Sequence, residues 1–241
     1  GAEAAGAAVK NAAKASAARA KQGGGNKAPR QGNTGSGEIR IIGGAWRRRR
    51  LPVATRPGLR PTPSRVRETL FNWLGQDLSG LRCLDAFAGT GALGLEAASR
   101  GAAEVVLVEQ DPALVKSLQA LCAKLKASTV KVERGDGIAA LRQRGGAGLD
   151  VVFLDPPFDA EALFAPALAA AAVAIGPQGF VYLEAPQPCS EEALQAAGLA
   201  VLRQGKAGAT PVRAAQEPCR CAPAHLSTPG WNQVLWQVVS T

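Results

Sequence analysis

From Leu81 to Lys206 short apolar runs alternate with longer stretches in which apolar residues recur every three or four positions. The runs predict strands at 81–86, 104–109, 129–134, 150–155 and 179–184, with a sixth from Gly198 to Lys206. The periodic stretches predict helices at 91–100, 112–126, 137–144, 160–174 and 190–197. Asp150-Val151-Val152-Phe153-Leu154 has the pattern of a buried strand. Strand and helix alternating at this spacing imply an α/β fold, a mostly parallel sheet with helices on both faces.

The flanks read differently. Ile39-Arg40-Ile41-Ile42 followed by Gly43-Gly44 predicts a short strand and a turn, and Leu51-Pro52-Val53 is its hairpin partner. Ser64 is placed to cap a helix whose apolar face is Val66, Leu70, Trp73 and Leu74. Residues 1–37 carry little large apolar content and are expected to be disordered, with a transient helix over 2–20. Pro211, Pro218, Pro223 and Pro229 interrupt the other end, where only 231–239 resembles a strand. The expected divisions are a tail at 1–38, a basic hairpin and helix extension at 39–78, a main domain at 79–208 and a divergent segment at 209–241. There is no internal repeat.

Composition sharpens this. With 46% hydrophobic and 20% charged residues in 241, one large domain plus an extension can bury a core. No apolar run reaches the roughly 18 residues of a membrane span. The Ala-rich start lacks a hydrophobic signal core, although an Ala- and Arg-rich, acid-poor start also fits a transit peptide. Gly1 is not expected to be the native initiator, since the chain contains no Met.

Charge is unevenly placed. Residues 1–67 hold 15 Lys/Arg and 2 Asp/Glu, a net +13, whereas the remainder is net −4. A disordered, solvated tail and a phosphate-binding arm both fit. The interleaving of Trp46 and turn residues with arginines after residue 40 favours the arm. Its candidates are Arg40, Arg47, Arg48, Arg49, Arg50, Arg60, Arg65 and Arg67; for Arg65 and Arg67 a solvated helix face is the equal alternative.

Five cysteines without a regular framework suit a reducing cytoplasm. Cys219-x-Cys221 with His225 matches no standard zinc spacing, and no metal is expected.

Candidate chemistry sits at strand ends. Asp85-Ala86-Phe87-Ala88-Gly89-Thr90-Gly91 closes the first strand and turns into a helix, where glycines let the backbone approach a ligand. A tight turn without any ligand would look the same. Glu109, at the end of the second strand, can accept both hydroxyls of a ribose. A carboxylate ahead of the glycines would repel a pyrophosphate but suits an amine and a sulfonium, which points to S-adenosylmethionine and its product S-adenosylhomocysteine. Gln110 follows Glu109. Asp136 can contact the adenine amine, cap a helix, or do both. The cofactor candidates are therefore Asp85, Ala86, Phe87, Ala88, Gly89, Gly91, Glu109, Gln110 and Asp136.

Asp155-Pro156-Pro157-Phe158 follows the fourth strand. Its carboxylate and rigid carbonyls can accept from the exocyclic amine of a flat base, and its ring can stack on that base. With the glycine loop upstream, this reads as a methyl-transfer site for an amino nitrogen on a nucleobase.

With these residues, the chain resembles the bacterial RsmD-type 16S ribosomal RNA guanine-N2 methyltransferases. The resemblance is carried by Arg40-Ile41-Ile42-Gly43-Gly44, by Arg60-Pro61-Thr62 with Arg65-Val66-Arg67-Glu68-Thr69-Leu70-Phe71-Asn72-Trp73-Leu74, by Asp85 to Ala97 and by Asp155 to Phe158. It implies a Rossmann-like class I methyltransferase fold, S-adenosylmethionine as donor, and one guanine of 16S rRNA as target, presented by an assembled or partly assembled 30S particle. A cytoplasmic monomer is expected. Where the family continues into a final antiparallel strand, this chain reads Ala209-Thr210-Pro211-Val212-Arg213-Ala214 instead, so the strand and the sheet edge it completes are not expected there. Two other functions fit: an adenine-N6 or other amino-directed nucleic-acid methyltransferase, and a non-catalytic RNA-binding assembly factor.

Overall fold

In a computed structural model the sheet is built around β3 (Arg82–Asp85), β4 (Glu104–Glu109), β5 (Val130–Arg134), β6 (Leu149–Leu154) and β7 (Ile175–Ala185), which run parallel. The described residues are 37–54, 56, 59, 61–157, 161–185, 191–207 and 231–238, and all fall within the compact unit Gly35–Thr241. Strand order is β5-β4-β3-β6-β7-β9-β8, where β8 is Leu199–Ala207 and β9 is Trp231–Val238. β9 is antiparallel to both neighbours. The last antiparallel strand thus lies well beyond Ala214, after the proline-rich stretch, and joins β7 to the edge strand β8.

Helices cover both faces because the central strands β3, β4, β6 and β7 place apolar residues on both. On one face α1 (Ser64–Trp73), α2 (Ala92–Ser99) and α3 (Pro112–Leu125) bury Phe71, Leu95 and Leu118 against Cys83, Leu107, Phe153 and Tyr182. On the other, α4 (Gly137–Gln143), α5 (Phe164–Ala174) and α6 (Glu191–Ala196) bury Leu141, Leu168 and Leu194 against Leu84, Val106, Val152 and Leu183. A single 3₁₀ turn, Glu161–Leu163, precedes α5. Every β-strand in the parallel set ends at the same edge, which sets Asp85, Glu109 and Asp155 side by side there. No helix among the described residues is long and apolar enough to cross a membrane.

The extension packs onto this body. β1 (Gly37–Arg40) and β2 (Arg50–Val53) form an antiparallel hairpin that buries Ile39, Leu51 and Val53 in the same core as Phe71. Gly44 makes the docking possible: at φ +72° its backbone lies so close to α2 that a Cβ would stand 1.7 Å from the Ser99 carbonyl oxygen.

Three local expectations are corrected. Ser64 does not cap α1; Pro63 holds that position without a side-chain cap, and Ser64 Oγ instead accepts from Arg67 Nη2 at 3.2 Å. β7 begins at Ile175 rather than 179, because Ile175 pairs with Leu149 and a register shift absorbs residues 176–179 before Phe180 pairs with Val151. Ile41 and Ile42 lie past the end of β1, where Ile41 still bonds Arg49 through its N–H at 2.9 Å.

Candidate active site

The glycine loop leaves β3 at Asp85 and enters α2 through Gly91. Gly89 and Gly91 adopt φ of +51° and +79°, a left-handed backbone that suits glycine. Their neighbours leave little room, since a Cβ at Gly91 would meet Leu118 at 2.6 Å. Ala86 and Ala88 are buried, and Phe87 is half-buried. The Ala88 N–H donates to the Val108 carbonyl at 2.9 Å, which ties the loop to β4.

Asp85 is 1% exposed. Its Oδ2 accepts from Gly94 N–H at 3.1 Å, while Oδ1 is buried without a hydrogen-bond partner among the described residues. Burial pushes its carboxyl up to about 7; the hydrogen bond from the Gly94 backbone opposes that, and the charges of Asp155 and Glu109 add to it. An orphaned buried oxygen is costly, so this one fits a donor group brought by a ligand.

Glu109 ends β4. Its Oε2 accepts from Gly89 N–H at 2.8 Å and its Oε1 from Asp111 N–H at 2.9 Å. Each oxygen keeps a second lone pair, so Glu109 both shapes the loop and retains acceptors for two hydroxyls. Asp136 caps α4 through Ala139 N–H at 2.7 Å and takes Gln110 Nε2 at 2.9 Å, which places Gln110 and Asp136 together beside Glu109. Close packing extends to Gly137, where a Cβ would fall 2.0 Å from the Ala86 carbonyl oxygen.

Asp155 and Pro156 leave β6 in register with Glu184 on β7, since Leu154 pairs with Leu183. Asp155 is half-buried, Pro156 buried and Pro157 exposed. Burial raises the Asp155 carboxyl to about 6, against the hydrogen bond from Thr62 Oγ1 at 3.1 Å, which pulls it down. Phe158 and Arg60 lie outside the described residues, as do Cys219, Cys221 and His225. Among the described residues no cluster of His, Cys, Asp or Glu has the makings of a metal site.

The basic candidates separate. Arg40, Arg47, Arg48, Arg49, Arg50 and Arg65 are exposed, and Arg50 pairs with Glu38 at 3.1 Å. Arg67 is a correction. It is 1% exposed and its Nη1 pairs with Glu96 Oε2 at 3.0 Å, so it is neither a phosphate arm nor a solvated face. A helix-start arginine looks the same in sequence whichever way it points.

Sequence reasoning missed Glu96, Thr62 and Arg56. Glu96 is fully buried and accepts from Arg67, Arg100 Nε at 2.9 Å, Ile42 N–H at 3.0 Å and Gly43 N–H at 2.8 Å. One signal was available: a lone acid in the otherwise small and apolar run Ala92-Leu93-Gly94-Leu95-Glu96-Ala97 must find partners if that run is buried. Arg56 bonds Asp111, the cap of α3, and Leu59 lies 3.2 Å from the position of a Cβ on Gly89. No local pattern announces contacts that far apart in the chain.

The chain is similar to known proteins. The family described as Conserved hypothetical protein 95 matches residues 39–216. The Escherichia coli (strain K12) protein named Ribosomal RNA small subunit methyltransferase D is 53% identical over 126 residues, covering 52% of this chain and 63% of that protein. The Haemophilus influenzae protein of the same name is 47% identical over 125 residues, covering 51% of this chain and 65% of that protein. The chain therefore matches somewhat less than two thirds of the length of these relatives. Among solved structures, one titled a putative methyltransferase, yhhF, from Escherichia coli aligns with a TM-score of 0.64 at 34% identity, covering 85% of this chain and 100% of that one. The fold is the Rossmann-like one of methyltransferases.

Proposed function

We propose that this chain, which belongs to the Conserved hypothetical protein 95 family, methylates the N2 amine of one guanine in small-subunit ribosomal RNA. The observation that carries the reading is the placement of Asp155-Pro156 just past the end of β6, beside the glycine loop that leaves the adjacent strand β3. The relatives' name supplies the substrate class.

The residues fit S-adenosylmethionine. The free Oδ1 of Asp85 suits an amine, Glu109 suits ribose hydroxyls, and the pair Gln110 and Asp136 suits the adenine edge. Ala86, Phe87, Ala88, Gly89 and Gly91 form the loop that would lie against it. When bound, this cofactor supplies an electrophilic methyl group on a sulfonium and leaves as S-adenosylhomocysteine.

The acceptor needs help, because the lone pair of a guanine amine is delocalised into the ring. The Asp155 carboxylate and the Pro156 carbonyl take its two N–H bonds and turn the lone pair toward the donor. Positioning and fixed charge are the main contributions. No strong base is required, since the product nitrogen sheds its proton readily. Phe158 is assigned to stacking on the extruded base. Exposed Arg40, Arg47, Arg48, Arg49, Arg50 and Arg65, together with Arg60, are assigned to phosphate contacts.

The preferred substrate is the assembled or partly assembled 30S particle, in the cytoplasm, with the enzyme acting as a monomer. Residues 1–38, 39–78, 79–208 and 209–241 are proposed as tail, RNA-docking extension, catalytic domain and divergent segment. Mass spectrometry of rRNA from cells lacking the protein tests this. One missing N2-methylguanine is expected, and an unchanged small-subunit profile would overturn the reading.

A further inference from the structure

Asp155 is held on one side only. Thr62 Oγ1 donates to its Oδ2 at 3.1 Å, and Oδ1 accepts no hydrogen bond among the described residues. Thr62 is itself 6% exposed and does not belong to the sheet that carries Asp155; it ends the segment between the basic hairpin and α1. The peptide carbonyl of Thr62 accepts from Arg67 Nε at 3.1 Å. The same guanidinium reaches the Arg40 carbonyl at 3.0 Å and Glu96 at 3.0 Å, and Glu96 holds the N–H groups of Ile42 and Gly43. One hydrogen-bonded chain thus runs from the hairpin, through Glu96 and Arg67, to Thr62 and Asp155. Nearby, Arg56 bonds Asp111 and Leu59 lies against Gly89, both beside the candidate cofactor residues.

We infer that Thr62 is the positioning residue for Asp155, so that the extension bearing the exposed arginines also completes the acceptor site. This rests on the methyl-transfer reading above. The hydroxyl fixes one carboxylate oxygen and leaves the other for the amine. A donated hydrogen bond also favours the ionised form, which keeps both oxygens as acceptors, one for Thr62 and one for the substrate. The titratable groups that face Asp155 are Asp85 on β3 and Tyr182 and Glu184 on β7. None of these, when ionised, favours the carboxylate; among the described residues Thr62 is the group that does.

The test compares wild type, Thr62→Val and Thr62→Ser in the full chain. Single-turnover methyl transfer from S-adenosylmethionine to unmodified 30S particles is followed from pH 5 to 9. Cofactor affinity is measured by calorimetry, and melting temperature is recorded for each variant. Thr62→Val is expected to lower the rate about tenfold near pH 6 and to move the acid limb of the profile to higher pH. Cofactor affinity should stay within about twofold, a change worth far less than one hydrogen bond. Thr62→Ser should restore both rate and limb. A rate that falls equally at all pH values, or a Thr62→Val profile that overlays wild type, would overturn the assignment. If label appears in a nucleoside other than N2-methylguanosine, the proposed function fails, but the variant comparison on that nucleoside still decides the part played by Thr62.

Discussion

Asp155 and Asp85 are both carboxylates at strand ends, yet their surroundings differ. Asp155 has one oxygen held by Thr62 and lies at the open edge. Asp155→Asn keeps the shape but loses the charge and one acceptor. It should leave S-adenosylmethionine affinity within about twofold and lower single-turnover rate by roughly a hundredfold or more. Because the carboxyl titrates at about 6 and the ionised form is the acceptor, wild-type rate should fall as pH drops through that value. Calorimetry and rapid-quench assays check the pair of expectations; an Asn variant with near wild-type rate removes Asp155 from the chemistry.

Asp85 carries a stability penalty instead. Its folded-state value of about 7 lies above the ordinary carboxyl value of 3.8, so the folded protein binds the proton more tightly. Stability contributed by that proton is present in acid and is lost as pH rises from about 4 to about 7, on the order of a few kcal/mol. Asp85→Asn should therefore melt higher than wild type at pH 8 and show no gain below pH 4, while binding S-adenosylmethionine about tenfold more weakly. A variant that melts lower at pH 8 would contradict the buried-charge argument.

At the scale of elements, the buried cluster Arg67–Glu96–Arg100 joins the extension to α2. Removing Glu96 leaves two guanidinium groups without their carboxylate in a dry site. Glu96→Ala should cost about 3–5 kcal/mol, read as a lowered midpoint in urea unfolding. A loss below about 1 kcal/mol, the range of a surface pair, would mean that water reaches the cluster. How much of the elements was legible follows from the same contrast. β4 was readable as 104–109 because a continuous apolar run fixes both its ends. α3 was readable as 112–126, against Pro112–Leu125, because Pro112 starts it and the apolar spacing sustains it. The early start of β7 was not, since Gly176 and Pro177 resemble a turn unless the pairing of Ile175 with Leu149 is known. Among the site residues, Asp85, Glu109, Asp136 and Asp155 stand at strand ends and could be placed by counting. Thr62 and Glu96 act through partners 93 and 29 residues away, which no local periodicity encodes.

At the scale of the molecule, charge and chemistry are divided between the net +13 start and the net −4 remainder. Under the proposed function, such a division would let phosphate contacts orient the protein while the acidic edge around Asp85, Glu109 and Asp155 takes only the cofactor and the extruded base. Replacing Arg47, Arg48, Arg49 and Arg50 with Ala should flatten the dependence of log affinity for 30S on log salt by about three to four, with cofactor affinity unchanged. An unaltered slope would reduce the four arginines to a solvated surface. The central claim is the identity of the methylated atom. The most direct measurement is tritium transfer from labelled S-adenosylmethionine to unmodified 30S particles, to naked rRNA and to duplex DNA, followed by digestion to nucleosides. Label is expected in N2-methylguanosine, with 30S the preferred substrate and DNA inert. Label in N6-methyladenine, or transfer to DNA at a rate matching 30S, would contradict it.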